Sequence, residues 1–383
     1  MAEARKRLFH SRNPYDLEGT EQLFRQAMAE NCAFQQEHCS EYRAILEGFG
    51  FHPQELLLED GPGRLPFLPT LFFKSHELFS MPPGRLPIKA TSSGTKGKMS
   101  RMGFDAKGLL CGLHMVLRLG RVHRLFSMTP ANYVVLGYQR HKGNRMAVRK
   151  TAFGTTLFAP ALNREYALKY GKDGYFVDLE GLTKALLRDE RSRFPTRVIG
   201  FPSYTWFLLR HLDEQGIRLH LKPGSKIMLG GGWKQFYTQQ VEKPVLYGLA
   251  KKVLGIGEGD IAEFFGAVEH PIMYCDCENH HFHVPVYSRV IIRDIHTLEP
   301  LPHGQPGLVN LLTPMVYSMP ILSVMTDDLG VLHDGAECGC GITSPWLEIL
   351  GRVGVQDIKT CAAGAADILK NSPAAAGKGG VLL

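Results

Sequence analysis

A ten-residue stretch in the first third of the chain combines hydroxyl, glycine and lysine residues in a pattern that suits a bound phosphate. It reads Lys89-Ala90-Thr91-Ser92-Ser93-Gly94-Thr95-Lys96-Gly97-Lys98. Gly94 and Gly97 allow the backbone to approach an anion closely, while the hydroxyl groups donate hydrogen bonds and the lysines supply positive charge. The stretch is not a Walker A loop, because Ser92 stands where that pattern requires glycine. An ordinary surface turn of the same composition is the alternative interpretation.

Two Cys-x-Cys pairs and a histidine-rich segment form a second candidate site. The segments are Cys275-Asp276-Cys277-Glu278-Asn279-His280-His281-Phe282-His283 and Cys338-Gly339-Cys340. Thiolate and imidazole groups are the ligands that tetrahedral zinc prefers. The predicted ligands of a structural zinc ion are Cys277, His283, Cys338 and Cys340, with Cys275 as an alternative. Free thiols and surface histidines without a metal are the other interpretation.

The composition is that of an ordinary globular protein. The chain has 383 residues, of which 44% are hydrophobic and 21% are charged, both typical values. The net charge is +7, but basic and acidic residues alternate along the chain, which favours small anionic ligands over nucleic acid. No apolar stretch reaches the length of a membrane span, and the basic start is not followed by the apolar part of a signal peptide. We expect a cytoplasmic protein with no membrane span and no nucleic-acid partner.

Short apolar runs bounded by turn residues predict the strands that position these sites. They are Val134-Val135-Leu136, Val198-Ile199-Gly200, Lys226-Ile227-Met228-Leu229, Val290-Ile291-Ile292 and Leu308-Val309-Asn310-Leu311-Leu312. Residues 15–48 have helical spacing and predict two helices, and 182–188 and 205–212 are amphipathic. Strands alternating with helices favour an α/β sheet. The 41 glycines and 23 prolines predict many turns and no long helix, with a loop over 61–87.

The glycine- and lysine-rich stretch resembles the signature of adenylate-forming enzymes, the acyl-CoA ligase superfamily, and further segments follow in that superfamily's order. They are Gly230-Gly231-Gly232, Phe264-Phe265-Gly266-Ala267-Val268-Glu269, Thr326-Asp327-Asp328-Leu329-Gly330 and Leu350-Gly351-Arg352. Three more segments resemble the LuxE-type acyl-protein synthetases: Asn13-Pro14-Tyr15-Asp16, Leu65 to Lys74, and Asp357-Ile358-Lys359-Thr360-Cys361-Ala362. The chain is identified as a member of the LuxE family over nearly its whole length.

The resemblance implies a fold and a domain division. We expect the α/β fold of the N-terminal domain of adenylate-forming enzymes, built from layered α/β sheets, with a truncated C-terminal lobe. Residues 1–350 are the expected core domain with its N-terminal helices. Residues 351–383 are the expected hinge and tail, which carry Cys361.

The resemblance also implies a role for each site residue. Contacts to the ATP phosphates are implied for Thr91, Ser92, Ser93, Gly94, Thr95, Gly97 and the catalytic Lys98. The adenine side is implied for Gly231, Gly232, Phe265 and Gly266. By the same resemblance, Asp328 binds the ribose hydroxyls and Arg352 bridges ribose or phosphate. Glu269 binds Mg²⁺, which prefers oxygen ligands. Outside this ordered context, such carboxylates are ordinary surface residues and Phe265 is ordinary core.

The implied reaction joins a carboxylic acid, by resemblance a fatty acid, to the AMP part of ATP and moves the acyl group to Cys361 as a thioester, for delivery to an acyl reductase. We expect the charge of Lys359, two residues away, to lower the pKa of that thiol. Phenylacetate-CoA ligases resemble the Cys/His arrangement, which implies a structural zinc. The alternatives are an acyl-CoA or aryl-CoA ligase, which uses coenzyme A or a carrier protein as acceptor, and a zinc-stabilised binding module without adenylation.

Overall fold

The computed structural model describes residues 3–91, 100–139, 141, 147–172 and 174–352, which divide into two units. Unit 1 contains residues 3–91, 100–123 and 265–352, and unit 2 contains the described residues of 124–264. The helices of unit 1 are α1 Glu3–Phe9, α2 Leu17–His38, α3 Ser40–Gly48, α4 Gly61–Arg64, α5 Phe72–Ser75 and α6 Ala106–Val122. The helices of unit 2 are α7 Ala147–Thr155, α8 Leu179–Glu190, α9 Pro202–Glu214 and α10 Lys243–Leu254.

The strands of the described residues lie between Leu68 and Arg352. Unit 1 contains β1 Leu68–Pro69, β2 Ile88–Thr91, β3 Arg101–Phe104, β10 His270–Cys275, β11 Phe282–His283, β12 Arg289–Arg293, β13 Pro306–Leu312, β14 Ser323–His333 and β15 Trp346–Arg352. Unit 2 contains β4 Ala131–Tyr138, β5 Ala161–Gly171, β6 Gly174–Val177, β7 Thr196–Gly200 and β8 Lys226–Gly230. Strand β9, Ile261–Ala267, begins in unit 2 and ends in unit 1. All five strands predicted from apolar runs are confirmed, and so is the α/β fold class.

Helix α2 contradicts the expectation that long helices are absent. It is 22 residues long, and the residue before it, Asp16, caps its N-terminus by accepting a hydrogen bond from the backbone of Gly19. Such a cap satisfies an amide that the helix itself leaves without a partner. Its apolar positions, among them Phe24 and Met28, are buried. The prediction was wrong because overall glycine content says nothing about where glycines lie, and the one glycine of α2 is in its first turn.

The main sheet of unit 1 explains how distant segments of the chain meet. Its order is β11-β15-β14-β13-β12, with antiparallel pairing throughout, and β1 pairs with β14 in parallel. Leu68 thereby lies opposite Val324. The region 61–87, predicted as a loop, thus contains a strand that joins the sheet and two short helices. Its buried apolar residues Leu68 and Phe73 supply the packing that orders it.

The sheet of unit 2 has the order β9-β8-β7-β4-β5-β6. All pairs are parallel except β5 with β6. Parallel strands are buried on both faces, and Val134, Val198 and Ile227 accordingly lie in one core with Leu182 of α8 and Leu208 of α9. Within the part of the chain that the structure describes, no helix has both the length and the apolar character needed to cross a membrane.

Candidate functional site

Pairing of β14 with β15 brings together two predicted nucleotide-binding residues. Asp328 lies directly opposite Arg352 in the register. The Arg352 guanidinium donates a hydrogen bond of 3.1 Å to Asp327, and its Nε lies 4.0 Å from an Asp328 carboxylate oxygen. Both side chains keep about a quarter of their surface exposed, at 27% and 20%. A ligand can therefore reach them. The predicted hinge, Leu350 to Arg352, forms the end of β15.

Glu269 lies in the turn between β9 and β10 and is 5% exposed. The Ser100 hydroxyl donates a hydrogen bond to its carboxylate. Burial raises the pKa of Glu269, against the opposing effects of the Ser100 hydrogen bond and of the charges on Lys74 and Arg352. A buried carboxylate suits a hard divalent cation, which prefers oxygen ligands and whose charge would favour the ionised form. The residue present at 269 therefore fits the Mg²⁺ role implied for it.

Lys74 belongs to the same neighbourhood, although the sequence analysis gave it no role. Strand β1 places Pro69 opposite Met325, and the Thr70 amide donates to the Met325 carbonyl at 3.0 Å. Helix α5 then carries Lys74. Burial lowers the pKa of Lys74, while the nearby carboxylates of Asp327 and Glu269 raise it. The segment Leu65 to Lys74 resembles the LuxE-type enzymes, but only the long-range pairing of β1 with β14 shows that Lys74 lies near the nucleotide-binding residues.

Five charged residues of unit 1 form what we call the charged cluster: Lys74, Glu269, Asp327, Asp328 and Arg352. Each of them interacts electrostatically or by hydrogen bonds with at least one other member. The cluster contains three carboxyl groups and two cations. Carboxyl groups can bind ribose hydroxyls and a divalent cation, and cationic side chains can bind phosphate oxygens.

The glycine turn predicted on the adenine side follows β8 in unit 2. Gly231 has φ +77°, a left-handed conformation that favours glycine. Its amide donates to the Phe264 carbonyl at 3.1 Å, and Gly232 is the next residue of the same turn. A side chain at 231 would strain this conformation.

The aromatic segment that follows the turn residues in sequence lies in unit 1. The ring of Phe265 packs against two other rings. Its centroid lies 5.7 Å from that of Tyr274 and 6.0 Å from that of Phe282. A Cβ added at Gly266 would lie 3.0 Å from the Ile272 carbonyl oxygen, so a larger residue would have to displace the neighbouring strand slightly. Phe265 is partly exposed and so retains surface for a ligand.

Several predicted residues lie outside the described part of the chain. Thr91 is described as the last residue of β2, opposite Arg101 of β3. The residues outside are Ser92, Ser93, Gly94, Thr95, Gly97, Lys98 and Cys361. Their roles stay predictions, as does the division of the chain at residue 350.

The four predicted zinc ligands lie together in unit 1. Every pair of their ligand atoms is within 4.8 Å. The Sγ atoms of Cys277 and Cys338 are 3.5 Å apart, and Cys340 Sγ is 3.2 Å from His283 Nε2. Three sulfur atoms and one imidazole nitrogen at such distances fit a tetrahedral zinc ion. Cys275, the alternative ligand, is fully buried and lies outside this group.

Surrounding residues prepare the cysteine and histidine side chains for a metal. His283 Nδ1 donates to the Ser344 carbonyl at 2.7 Å, which leaves the lone pair of Nε2 for the metal. Gly339 and Gly341, with φ +75° and +86°, form the turn that presents Cys338 and Cys340. Burial, together with the neighbouring thiols of Cys338 and Cys277, raises the pKa of Cys340 to about 12. A cation in the site would reverse this effect, because it stabilises thiolates.

A second histidine supports the site without being a predicted ligand. His281 Nδ1 lies 3.1 Å from Cys338 Sγ. Its ring stacks on Trp346 at 3.7 Å, and His333 stacks on the opposite face of the same indole at 3.9 Å. A hydrogen bond to a ligating sulfur is a common way to orient and tune such a ligand. The run of three histidines in 280–283 was the signal for this residue.

The donor set predicts that untagged protein contains stoichiometric zinc. Replacing Cys338 with alanine should remove the zinc and lower the melting temperature by about 5 °C or more, since a structural metal contributes folding free energy directly. Mass spectrometry for metals and a thermal melt measure both effects. Cys32→Ala is the matched control, because it removes a thiol that is equally buried, in α2. Wild-type protein without zinc, or equal melting of the two variants, would contradict the prediction.

Comparisons with known proteins identify the family and the fold of the chain. The family model of LuxE, described as acyl-protein synthetase, matches residues 3–370. The long-chain-fatty-acid–luciferin-component ligase of Vibrio harveyi is 27% identical over 84% of this chain and 82% of its own length. The enzyme of the same name from Aliivibrio fischeri is 25% identical over 81% and 80%. An open conformation of 2-hydroxyisobutyryl-CoA ligase has a TM-score of 0.65 with 17% identity, over 90% of this chain and 77% of that one.

These similarities confirm the predicted fold of adenylate-forming ligases, and with it the prediction that the chain is a ligase. The family match extends over most of the chain, including both units and the charged cluster. The chain therefore belongs to the LuxE family of acyl-protein synthetases.

Proposed function

We propose that this ligase activates a fatty acid with ATP and then binds the acyl group covalently at Cys361. The observation that carries the proposal is the charged cluster, which combines a partly exposed carboxylate–arginine pair with a buried carboxylate in one unit. Membership of the LuxE family supports the acyl-protein product. The names of the two bacterial relatives support a long-chain fatty acid as the substrate.

In the first step, a substrate carboxylate oxygen forms a bond to the α-phosphorus of ATP, and the bond to the bridging oxygen of pyrophosphate breaks. Asp328 accepts hydrogen bonds from the ribose hydroxyls, for which its two oxygens are suited. Arg352, oriented by Asp327 at 3.1 Å, donates to ribose or phosphate oxygens. Glu269 would hold Mg²⁺, which supplies positive charge to the phosphates when bound. The phosphate loop from Ser92 to Lys98 is proposed to bind the β- and γ-phosphates.

In the second step, the Cys361 thiolate attacks the acyl carbon. A carbon–sulfur bond forms, the bond to the AMP oxygen breaks, and AMP leaves with the electron pair. Because AMP is a good leaving group, the product thioester needs no further energy source. We propose that a reductase then receives the acyl group from this thioester.

Intact-protein mass spectrometry tests the proposal directly. Wild-type protein incubated with ATP, Mg²⁺ and a series of fatty and aryl acids should release pyrophosphate and gain the mass of one acyl group, with the largest yield for a long-chain fatty acid. Addition of coenzyme A should not divert the acyl group. Acyl-CoA formation without acyl-protein would favour a CoA ligase, and absence of pyrophosphate with every acid would favour a binding module.

A further inference from the structure

We propose that Lys74 is a catalytic residue of the adenylation step, in which its ammonium group contacts the α-phosphate of ATP. The inference rests on the proposed function and goes further, because it assigns a contact to a lysine outside every segment so far connected with the nucleotide. Lys74 lies some fifteen residues before the phosphate loop and far from the ribose segment in sequence.

The first observation is how the fold delivers Lys74 to the cluster. Strand β1 is only two residues long, but its parallel pairing aligns Pro69 with Met325, two residues before Asp327. The Thr70 amide extends the alignment with a 3.0 Å hydrogen bond to the Met325 carbonyl. Buried Phe73 holds the short helix α5 that follows. A strand and an apolar side chain therefore determine the position of this lysine, which is not on a free surface loop.

The second observation is which groups Lys74 faces. It interacts electrostatically with Arg352, which lies beside the proposed ribose carboxylate Asp328, and with Asp327. It also interacts with Glu269, the proposed Mg²⁺ ligand. In ATP the α-phosphate lies between the ribose and the metal-bound phosphates. A cation close enough to interact with both the ribose-binding pair and the proposed Mg²⁺ ligand is therefore suited to contact the α-phosphate.

The third observation is the partial burial of Lys74, which has a cost that a ligand can offset. Burial lowers its pKa, and Asp327 and Glu269 oppose that change. An ammonium group in a partly water-excluded site interacts more strongly with an anion than it does in bulk water. During adenylation, negative charge is spread over the non-bridging oxygens of the α-phosphorus while the carboxylate adds and pyrophosphate leaves. Lys74 would stabilise that charge.

Binding of adenosine and AMP to wild-type protein and to Lys74→Met tests the contact, because the two ligands differ only in the α-phosphate. We expect the AMP dissociation constant to rise about 10- to 100-fold in Lys74→Met, the effect of one charge-assisted hydrogen bond. Adenosine should bind both proteins equally. ATP–pyrophosphate exchange should fall at least as much as AMP binding weakens, and Lys74→Arg should restore a substantial part of it. Lys107→Met, an exposed lysine of α6 in the same unit, is the matched control and should change neither.

The outcomes separate the possibilities. Equal weakening of AMP and adenosine would overturn the proposal, because it would mean that Lys74 only orients the ribose-binding pair. Unchanged AMP binding and exchange in Lys74→Met would overturn it as well. Wild-type protein that shows neither AMP binding nor pyrophosphate exchange with any acid would instead refute the proposed function itself.

Discussion

Replacing Cys361 with serine is expected to abolish the acyl-protein while acyl-adenylate synthesis continues. A thiol near neutral pH has a reactive thiolate fraction, whereas an unassisted serine hydroxyl has practically none. The charge of Lys359 should enlarge that fraction in the wild-type protein. Labelling with a radioactive fatty acid, followed by hydroxylamine treatment that cleaves thioesters, measures the acyl-protein. Pyrophosphate exchange measures the first step, which should be unchanged.

Cys39→Ser is the matched control for this experiment. It removes a thiol at the junction of α2 and α3, in contact with Glu41 and outside both candidate sites. Its labelling should equal that of the wild type. Undiminished hydroxylamine-sensitive labelling of Cys361→Ser would show that another residue accepts the acyl group.

Glu269→Gln is expected to lower ATP–pyrophosphate exchange about 100- to 1,000-fold, the effect usually seen when a group that stabilises the transition state is removed. The amide keeps the shape and the hydrogen bond of Ser100 but provides no charge for Mg²⁺. The Mg²⁺ concentration that gives half-maximal rate should therefore rise. Titration of the exchange rate with Mg²⁺ measures both quantities. Glu59→Gln, at an exposed position of the same unit, should behave as the wild type.

Glu269→Gln is expected to maintain or raise stability in the absence of Mg²⁺. Burial raises the pKa of Glu269 in the folded protein. Its protonated form therefore contributes stability that is fully present below the pKa of the unfolded state and is lost as the pH rises through the pKa of the folded state. Above that range the metal-free wild type carries a buried charge, which Gln does not. Thermal melts without Mg²⁺ at increasing pH should therefore show Glu269→Gln equal to or above the wild type. A less stable variant together with an unchanged Mg²⁺ requirement would contradict the metal-binding role.

Sequence alone predicts those parts of the molecule whose signal is local. The zinc ligands could be chosen because Cys-x-Cys pairs and adjacent histidines rarely occur by chance, and because the ligands of one zinc ion must lie close together in the fold. Asp328 and Arg352 could be predicted from ordered motifs, and their pairing is a simple result of one antiparallel hairpin.

The rest depends on contacts between distant segments. Lys74 reaches the charged cluster through the pairing of Leu68 with Val324, and a strand of two residues is too short for its hydrophobic pattern to predict the pairing. His281 could be noted as a possible ligand, but its position against Trp346 depends on the pairing of β11 with β15. The length of α2 was missed because the overall glycine and proline content does not show where in the chain these residues lie, and a helix is interrupted only by those inside it.

The β14–β15 hairpin connects both candidate sites through a single rigid element. Its register pairs His333 with Trp346 beside the zinc ligands and Asp328 with Arg352 at the nucleotide end, about 20 Å apart at ~3.3 Å per residue. A chelator that frees the first end would loosen the second, so we expect zinc occupancy and nucleotide affinity to change together. By thermodynamic reciprocity, bound nucleotide would then raise the affinity for the metal by the same coupling free energy.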